Sequence, residues 1–266
     1  MSQGKKTRTQ KIIKIKESKA ESFEDQIVEE SSLSVFLNDQ KIVTLMSTPA
    51  DQKFLALGFL FSEGLITQKS DVRKILFNSR KNEVKVLTEK KRRIPKSRSR
   101  LGTLTSGCGK GKSLRNLKKI DPLSDVLINL EFSLTCDQIE KLVREFEKRS
   151  SVFRSTGGTH SAALADKERI LLFKEDIGRH NAVDKVLGEV LFKRISMEDK
   201  VLILSGRISS DILLKSARGK INLIVSRSAP TSLAIELALK LGITIVGFAR
   251  GKRMNIYTYP ARVFLD

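Results

Sequence analysis

"VLILSGRISSDILLKSARGKINLIVSRSAPTSLAIELALKLGITIVGF", residues 201–248, decides the fold class. Three short apolar runs, VLILS (201–205), INLIVS (221–226) and ITIVGF (243–248), alternate with helical patterns over 209–218 and 230–241. Strands without polar alternation are buried on both faces, and strands separated by helices pair in parallel. Pro230 suits the first turn of its helix, and Gly242 suits its stop. The stretch predicts an α/β architecture built on a parallel sheet covered on both sides.

Working upstream, residues 136–149 carry Ile139, Leu142, Val143 and Phe146 on one helical stripe. "HSAALADKERILLFKED" (160–176) reads as two short strands around 166–168. Residues 181–194 have an amphipathic helix pattern through Val183, Val186, Leu187, Val190 and Leu191. The first 88 residues read as a small α+β part. Residues 12–16 alternate as a strand does, and 34–47 form a hairpin turning at Asn38 and Asp39. Asp51 caps a helix running to Gly64, and 72–88 form a second hairpin. Between the parts, 89–121 is basic, Gly/Ser-bearing and poor in periodic apolar residues, the signature of a mobile loop. The expected division is 1–88, 89–121 and 122–266.

The chain has 266 residues and a formal net charge of +20, which attracts polyanions. With no Trp, 2 Tyr and an aromatic fraction of 6%, it is thin in base-stacking platforms, which weighs against nucleic acid. No apolar run spans a bilayer, and the basic N-terminus lacks the apolar core of a secretory signal. Only 2 cysteines, Cys108 and Cys136, favour a reducing compartment. The expectation is a cytoplasmic protein without a membrane partner. Neither C-x-x-C nor H-x-x-x-H occurs, so zinc is not expected.

Ligands of open α/β sheets bind beyond the carboxyl ends of the strands. Here those ends read SGR (205–207), SRSAP (226–230) and GFARGKR (247–253). Ser205, Arg207, Ser226 and Arg227 offer hydroxyls and guanidinium groups beside helix starts, where phosphate is favoured. Phe248, Ala249, Arg250, Gly251, Lys252 and Arg253 add close backbone approach and three cations. His160 follows two glycines, and His180 opens a helix with Asp176 and Asp184 four residues to either side. The pattern suits a ligand contact or an acid/base pair; a capped helix terminus with Asp184 on a solvated face suits it equally.

Cys108 stands in "TSGCGKGKS" (105–113), among glycines and lysines. Nearby cations favour the thiolate, and glycines free the loop tip. Cys136, beside Thr135 and Asp137, reads as a packing residue.

These stretches together resemble the FdhD family, the formate dehydrogenase accessory sulfurtransferases. The resemblance rests on LALGFLFSEGLI (55–66), TSGCG (105–109), TGGTHSAAL (156–164), EDIGRHNAVDKVLG (175–188), SGRIS (205–209) and SRSAPTSLAIELALKLGITIVGFARGKRMNIYT (226–258). It implies a cytidine-deaminase-like mixed sheet flanked by helices, with the smaller α+β part at the N-terminus. It implies sulfur taken as a persulfide on Cys108 from a cysteine desulfurase. It implies that this sulfur passes to the bis-guanine-dinucleotide molybdenum cofactor used by formate dehydrogenase. It further implies cofactor binding at 248–253 and a homodimer. Many family members carry Cys-x-x-Cys in the loop; here Gly111 takes the second position. That closes the intramolecular disulfide route of sulfur release. The zinc deaminase signature is also absent, since HNA (180–182) and SGRISSD (205–211) supply neither the catalytic Glu nor the Cys pair. A non-catalytic carrier of the cofactor and a basic nucleic-acid binder are the alternative readings.

Overall fold

The computed structural model describes residues 5–89, the backbone of 103 and 104, and residues 132–265. The chain opens with a two-stranded antiparallel ribbon, β1 (Thr7–Lys16) and β2 (Lys19–Val28). A second hairpin, β3 (Ser31–Leu37) and β4 (Gln40–Ser47), turns through Asn38 at φ 54°. That is the left-handed conformation which Asn tolerates well. Helix α1 (Gln52–Ser62) and the hairpin β5 (Val72–Asn78) and β6 (Glu83–Thr88) follow. The two-residue strand β7 (Thr103–Leu104) lies inside the stretch read from sequence as loop. It completes a five-stranded sheet in the order β5-β6-β3-β4-β7, pairing parallel to β4 with Thr44 opposite Thr103 and Leu45 opposite Leu104.

The rest of the chain runs β8 (Leu134–Thr135), α2 (Cys136–Arg149), α3 (Ser151–Thr156), β9 (His160–Ala165), β10 (Ile170–Asp176) and α4 (Arg179–Lys193). Then come β11 (Val201–Leu204), α5 (Ser210–Arg218), β12 (Leu223–Ser226), α6 (Ser232–Leu241), β13 (Thr244–Arg250), β14 (Arg253–Thr258) and β15 (Val263–Phe264). Six of these strands form a mixed sheet in the order β10-β9-β11-β12-β13-β14. Within this sheet parallel pairing is confined to β11, β12 and β13, formed by the apolar runs at 201–205, 221–226 and 243–248. Both flanks are antiparallel, because β9–β10 and β13–β14 are joined by short turns that cannot cross over.

Both faces of this sheet are covered. Leu202, Leu204, Ile224 and Ile245 point into a core shared with α1, α4, α5 and α6. Val201, Ile203, Leu223, Val225 and Val246 point into a second core beneath α2. The alternation along each strand sends successive residues to opposite cores. Helix α2 starts with a capping box in which Thr135 and Gln138 satisfy each other's backbone groups.

Helices α1 and α4 cross in backbone contact. A Cβ on Gly58 would lie 1.8 Å from the Asp184 carbonyl oxygen, and one on Gly188 would lie 1.9 Å from that of Phe54. Their core takes in residues of both sheets. Helix α4 is consequently buried around most of its circumference, with Asn181, Asp184, Lys185 and Glu189 inside. The expected amphipathic pattern and the solvated face for Asp184 do not hold, because α1 covers the face that a surface helix would leave to water.

Two expected caps also differ. Asp51 precedes α1 at φ 57° and makes no capping bond; its carboxylate pairs with Lys174 at 2.8 Å. Pro230 lies just before α6, bridged to Ile208, and Thr231 caps the helix by accepting the Ala234 N–H.

Candidate functional site

The carboxyl ends of β10, β11, β12 and β13 and the start of β9 meet on one rim, as the pairings dictate. Helices α4, α5 and α6 begin there. Ser205 is fixed at the end of β11 by donating its N–H to the Ser161 carbonyl. Its hydroxyl accepts the Ser161 N–H at 2.9 Å and lies 3.4 Å from His160 Nδ1. Gly206 lets the chain pass against His160, since a Cβ there would come within 3.2 Å of the imidazole and 3.4 Å of Arg179 Cβ.

His180 sits in the first turn of α4, and its Nε2 lies 3.5 Å from the hydroxyl of Ser209, the cap of α5. Burial pushes its pKa down to about 3, helped by the positive charges of Lys215 and Arg179. Burial also lowers His160, with Arg179 and Arg207 adding to the effect. Both imidazoles are therefore neutral near pH 7, each able to donate one hydrogen bond and accept another but carrying no charge. The positive field at the two imidazoles comes from Arg179, Arg207 and Lys215. Asp211, in the first turn of α5, is raised by burial against the pull of Lys215 and Arg179.

The flanking aspartates do not pair with His180. Asp176 is wholly buried and is the hub of a lock. One carboxylate oxygen accepts from the Gly178 N–H and the Asn181 amide, both at 2.9 Å. The other meets the Thr48 N–H and hydroxyl, both at 3.1 Å, and the Lys185 ammonium at 2.6 Å. Asn181 also donates to the Met46 carbonyl at 2.8 Å. The end of β4 is thereby fastened to the turn that presents Arg179 and His180. Asp184 instead binds Lys215 through both oxygens at 2.7 Å and accepts from Ser62 at 2.6 Å. Sequence reading missed Thr48, Lys185 and Lys215. A Lys at 185, one turn from His180 in an apolar helix, was the available signal.

The remaining residues singled out from sequence fall into distinct settings. Ser226 is buried and ties two loops together, donating to the Gly206 carbonyl at 2.8 Å and accepting the Ser228 N–H at 3.0 Å. Arg227 is half-buried, with its guanidinium 2.7 Å from Glu147. Its carbonyl accepts from Arg250 Nε at 2.9 Å, linking the β12 and β13 ends. Phe248 adopts φ 51°, and its N–H donates to the Ser228 carbonyl. Ala249 points into the core beneath α2. Arg250, Gly251, Lys252 and Arg253 form the exposed β13–β14 turn, where Gly251 at φ 52° supplies the left-handed residue. Arg207 is exposed. Cys108 lies outside the described residues. Cys136 begins α2 and packs against the second core. Among the described residues no three His, Cys, Asp or Glu side chains converge as metal ligands, and no helix is long and apolar enough to cross a membrane.

A buried mixed sheet whose strand ends gather neutral imidazoles, hydroxyls and arginines defines an α/β protein with a polar rim at those ends. The chain belongs to the FdhD/NarQ family, whose model matches residues 28–264. It is 39% identical over 254 residues to the sulfur carrier protein FdhD of Listeria monocytogenes serovar 1/2a, covering 96% of this chain and 97% of that one. It is 34% identical over 259 residues to the protein of the same name from Bacillus subtilis strain 168, covering 97% and 98%. A crystal structure from Desulfotalea psychrophila, assigned as a formate dehydrogenase accessory protein, superposes with a TM-score of 0.77 at 29% identity. It covers 97% of this chain and 99% of that one.

Proposed function

We propose that the protein is a sulfur carrier that sulfurates the bis-guanine-dinucleotide molybdenum cofactor for formate dehydrogenase, with Cys108 as the carrying thiol. The printed names of the relatives support the sulfur-carrier part. The observation that carries the reading is the pairing of β7 with β4. These strands run in parallel, so β7 is directed toward the end of β4 where Thr48 meets Asp176, beside the rim of His160, His180 and Arg179. Cys108 follows four residues later, and covalent geometry keeps its Cα within about 14 Å of that of Leu104.

The Cys108 thiolate attacks the terminal sulfur of a desulfurase persulfide, forming a new S–S bond and expelling the donor cysteine as thiolate. Release of the carried sulfur as hydrosulfide consumes two electrons, which a thiol supplies by becoming a disulfide. Gly111 removes the neighbouring cysteine from that role, so an external thiol supplies them, or the acceptor itself gives up the two electrons as it takes the sulfane sulfur and leaves Cys108 as thiolate. The cofactor is substrate here. Arg207, Arg227, Arg250, Lys252 and Arg253 supply cations for its phosphates. Ser205, His180 and the 248–251 backbone line the approach, and the buried Ser226 holds the neighbouring loops in place. The cytidine-deaminase-like layout, the division at 89–121, a homodimer, a cysteine desulfurase donor, a formate dehydrogenase recipient and a cytoplasmic setting belong to the same reading.

Intact-mass analysis after incubation with an active cysteine desulfurase and cysteine tests the carrier role. A single-sulfur adduct on the wild type, absent from Cys108→Ala, is expected. If no adduct forms with a cognate donor, the protein is a cofactor-binding carrier without sulfur chemistry, an alternative that Gly111 keeps open.

A further inference from the structure

The β1–β2 ribbon precedes nearly all of the family match, which begins at residue 28, and it is an incomplete sheet. Its base is tied down, with the Glu29 N–H donating to the Lys6 carbonyl and Val28 packed against Gly158. Beyond the base it stands in solvent. Ile13 and Ile15 are 66% and 73% exposed, and Phe23 is 42% exposed. A two-stranded hairpin is marginal in water by itself; a third strand or a packed helix makes such a sheet stable. Among the described residues no strand pairs with the outer edge of β1, so its outward N–H and C=O groups are a template for one.

The chemistry of that strand can be read from the one β1 already has. The central run KIIKIK (11–16) faces β2 with Lys11 opposite Glu24, Ile12 opposite Phe23, Lys14 opposite Glu21 and Ile15 opposite Ala20. In these four pairs acid opposes base or apolar opposes apolar, the pairs that stabilise neighbouring strands; Ile13 faces Ser22, and Lys16 faces Lys19 beside the turn. The outer edge presents the same side chains with nothing opposite.

We propose that the outer edge of β1 binds an extended segment of a partner protein in which acidic and apolar residues are interspersed, adding it as a third strand. A second copy of the ribbon does not fit. Two β1 edges related by a two-fold axis would set Arg8, Lys11, Lys14 and Lys16 against each other, and like charges across strands repel. The same lysines that guard the edge against self-pairing select an acidic strand.

The probe is the chain's own β2 as a labelled synthetic peptide, KAESFEDQIV, beside a charge-reversed peptide, KAKSFKKQIV. Fluorescence anisotropy at low salt on the full-length protein is expected to show saturable binding of the first. The second should bind roughly tenfold more weakly or worse. Amide hydrogen exchange is expected to slow in residues 7–16 when the first peptide is bound. The double variant Ile13→Asp, Ile15→Asp, checked for native circular dichroism, is expected to lose the binding. Equal binding of both peptides, binding without protection of β1, or full binding by the double variant would overturn the proposal. So would absence of binding at low-millimolar peptide. Self-association that the double variant abolishes would reassign the edge to a second copy.

Discussion

The Lys185 ammonium and the Asp176 carboxylate meet at 2.6 Å with neither side chain exposed to solvent, and Thr48 bonds to both. An ion pair taken wholly out of water survives only when its remaining bonds are satisfied, as they are here by backbone and hydroxyl groups.

Removing one partner leaves the other charge buried. Lys185→Met is expected to cost about 3–5 kcal/mol of unfolding free energy. Thr48→Val, which deletes a hydroxyl but keeps both charges, should cost about 1–3 kcal/mol. Urea titrations of the two variants measure the difference, and similar losses in both would contradict the ranking.

The helix crossing gives a steric prediction. Gly58→Ala or Gly188→Ala places a methyl group inside the opposite backbone, and neither chain can yield without parting α1 from α4. Each is expected to lower stability by more than about 3 kcal/mol or to prevent soluble expression, beyond the ordinary range for a point change. Gly157→Ala meets no atom within 4 Å and strains only its φ of 66°, so thermal denaturation should show a smaller loss.

Burial sets a pH dependence. His180 stays neutral in the fold down to about 3, whereas in the unfolded chain it takes a proton near its ordinary value of 6.5. Above that value both states are neutral and the histidine contributes no slope. As pH falls below it, the unfolded state binds the proton first, so stability drops until the folded pKa is reached. The slope is about 1.4 kcal/mol per pH unit. His160, shifted in the same direction, adds to it. His180→Gln should flatten the fall between pH 6 and 4 in denaturant titrations; an unchanged slope would place the acid sensitivity elsewhere.

Sulfur loading and ligand binding should separate. Cys108→Ala is expected to abolish the persulfide adduct while guanosine diphosphate binding persists. Arg250→Gln with Arg253→Gln should weaken that binding by roughly tenfold or more while the adduct still forms. Isothermal titration and intact mass read the two properties independently. Loss of both in either variant would tie the thiol and the cations to one function.

Most of the sheet was legible because its signals are local. The runs 201–205, 221–226 and 243–248 are predominantly apolar, and the turns at Asn38 and Gly242 need the left-handed conformations that those residues supply. The strand pairing β4–β7 was not legible, since Thr103 and Leu104 stand in a basic stretch without periodicity and are held by a partner nearly sixty residues away. Helix α4 misled for a related reason. Its polar residues suggested a wet face, but Asp184, Lys185 and Glu189 find Lys215, Asp176 and Lys174 on other elements. At the rim, residue types were readable while orientations were not. Ser226 and Ala249 turn inward, and only the folded chain distinguishes them from Arg250 beside them.

The glycine contact between α1 and α4 also limits how this chain can be recombined with its relatives. Where two backbones touch, each helix is a mould of the other, and the fit tolerates nothing inserted on either side. A chimera that joins one relative's first hundred residues to another's remainder must bring both halves of that mould from compatible parents. Exchange of the β1–β2 ribbon, which lies outside the mould, carries no such condition.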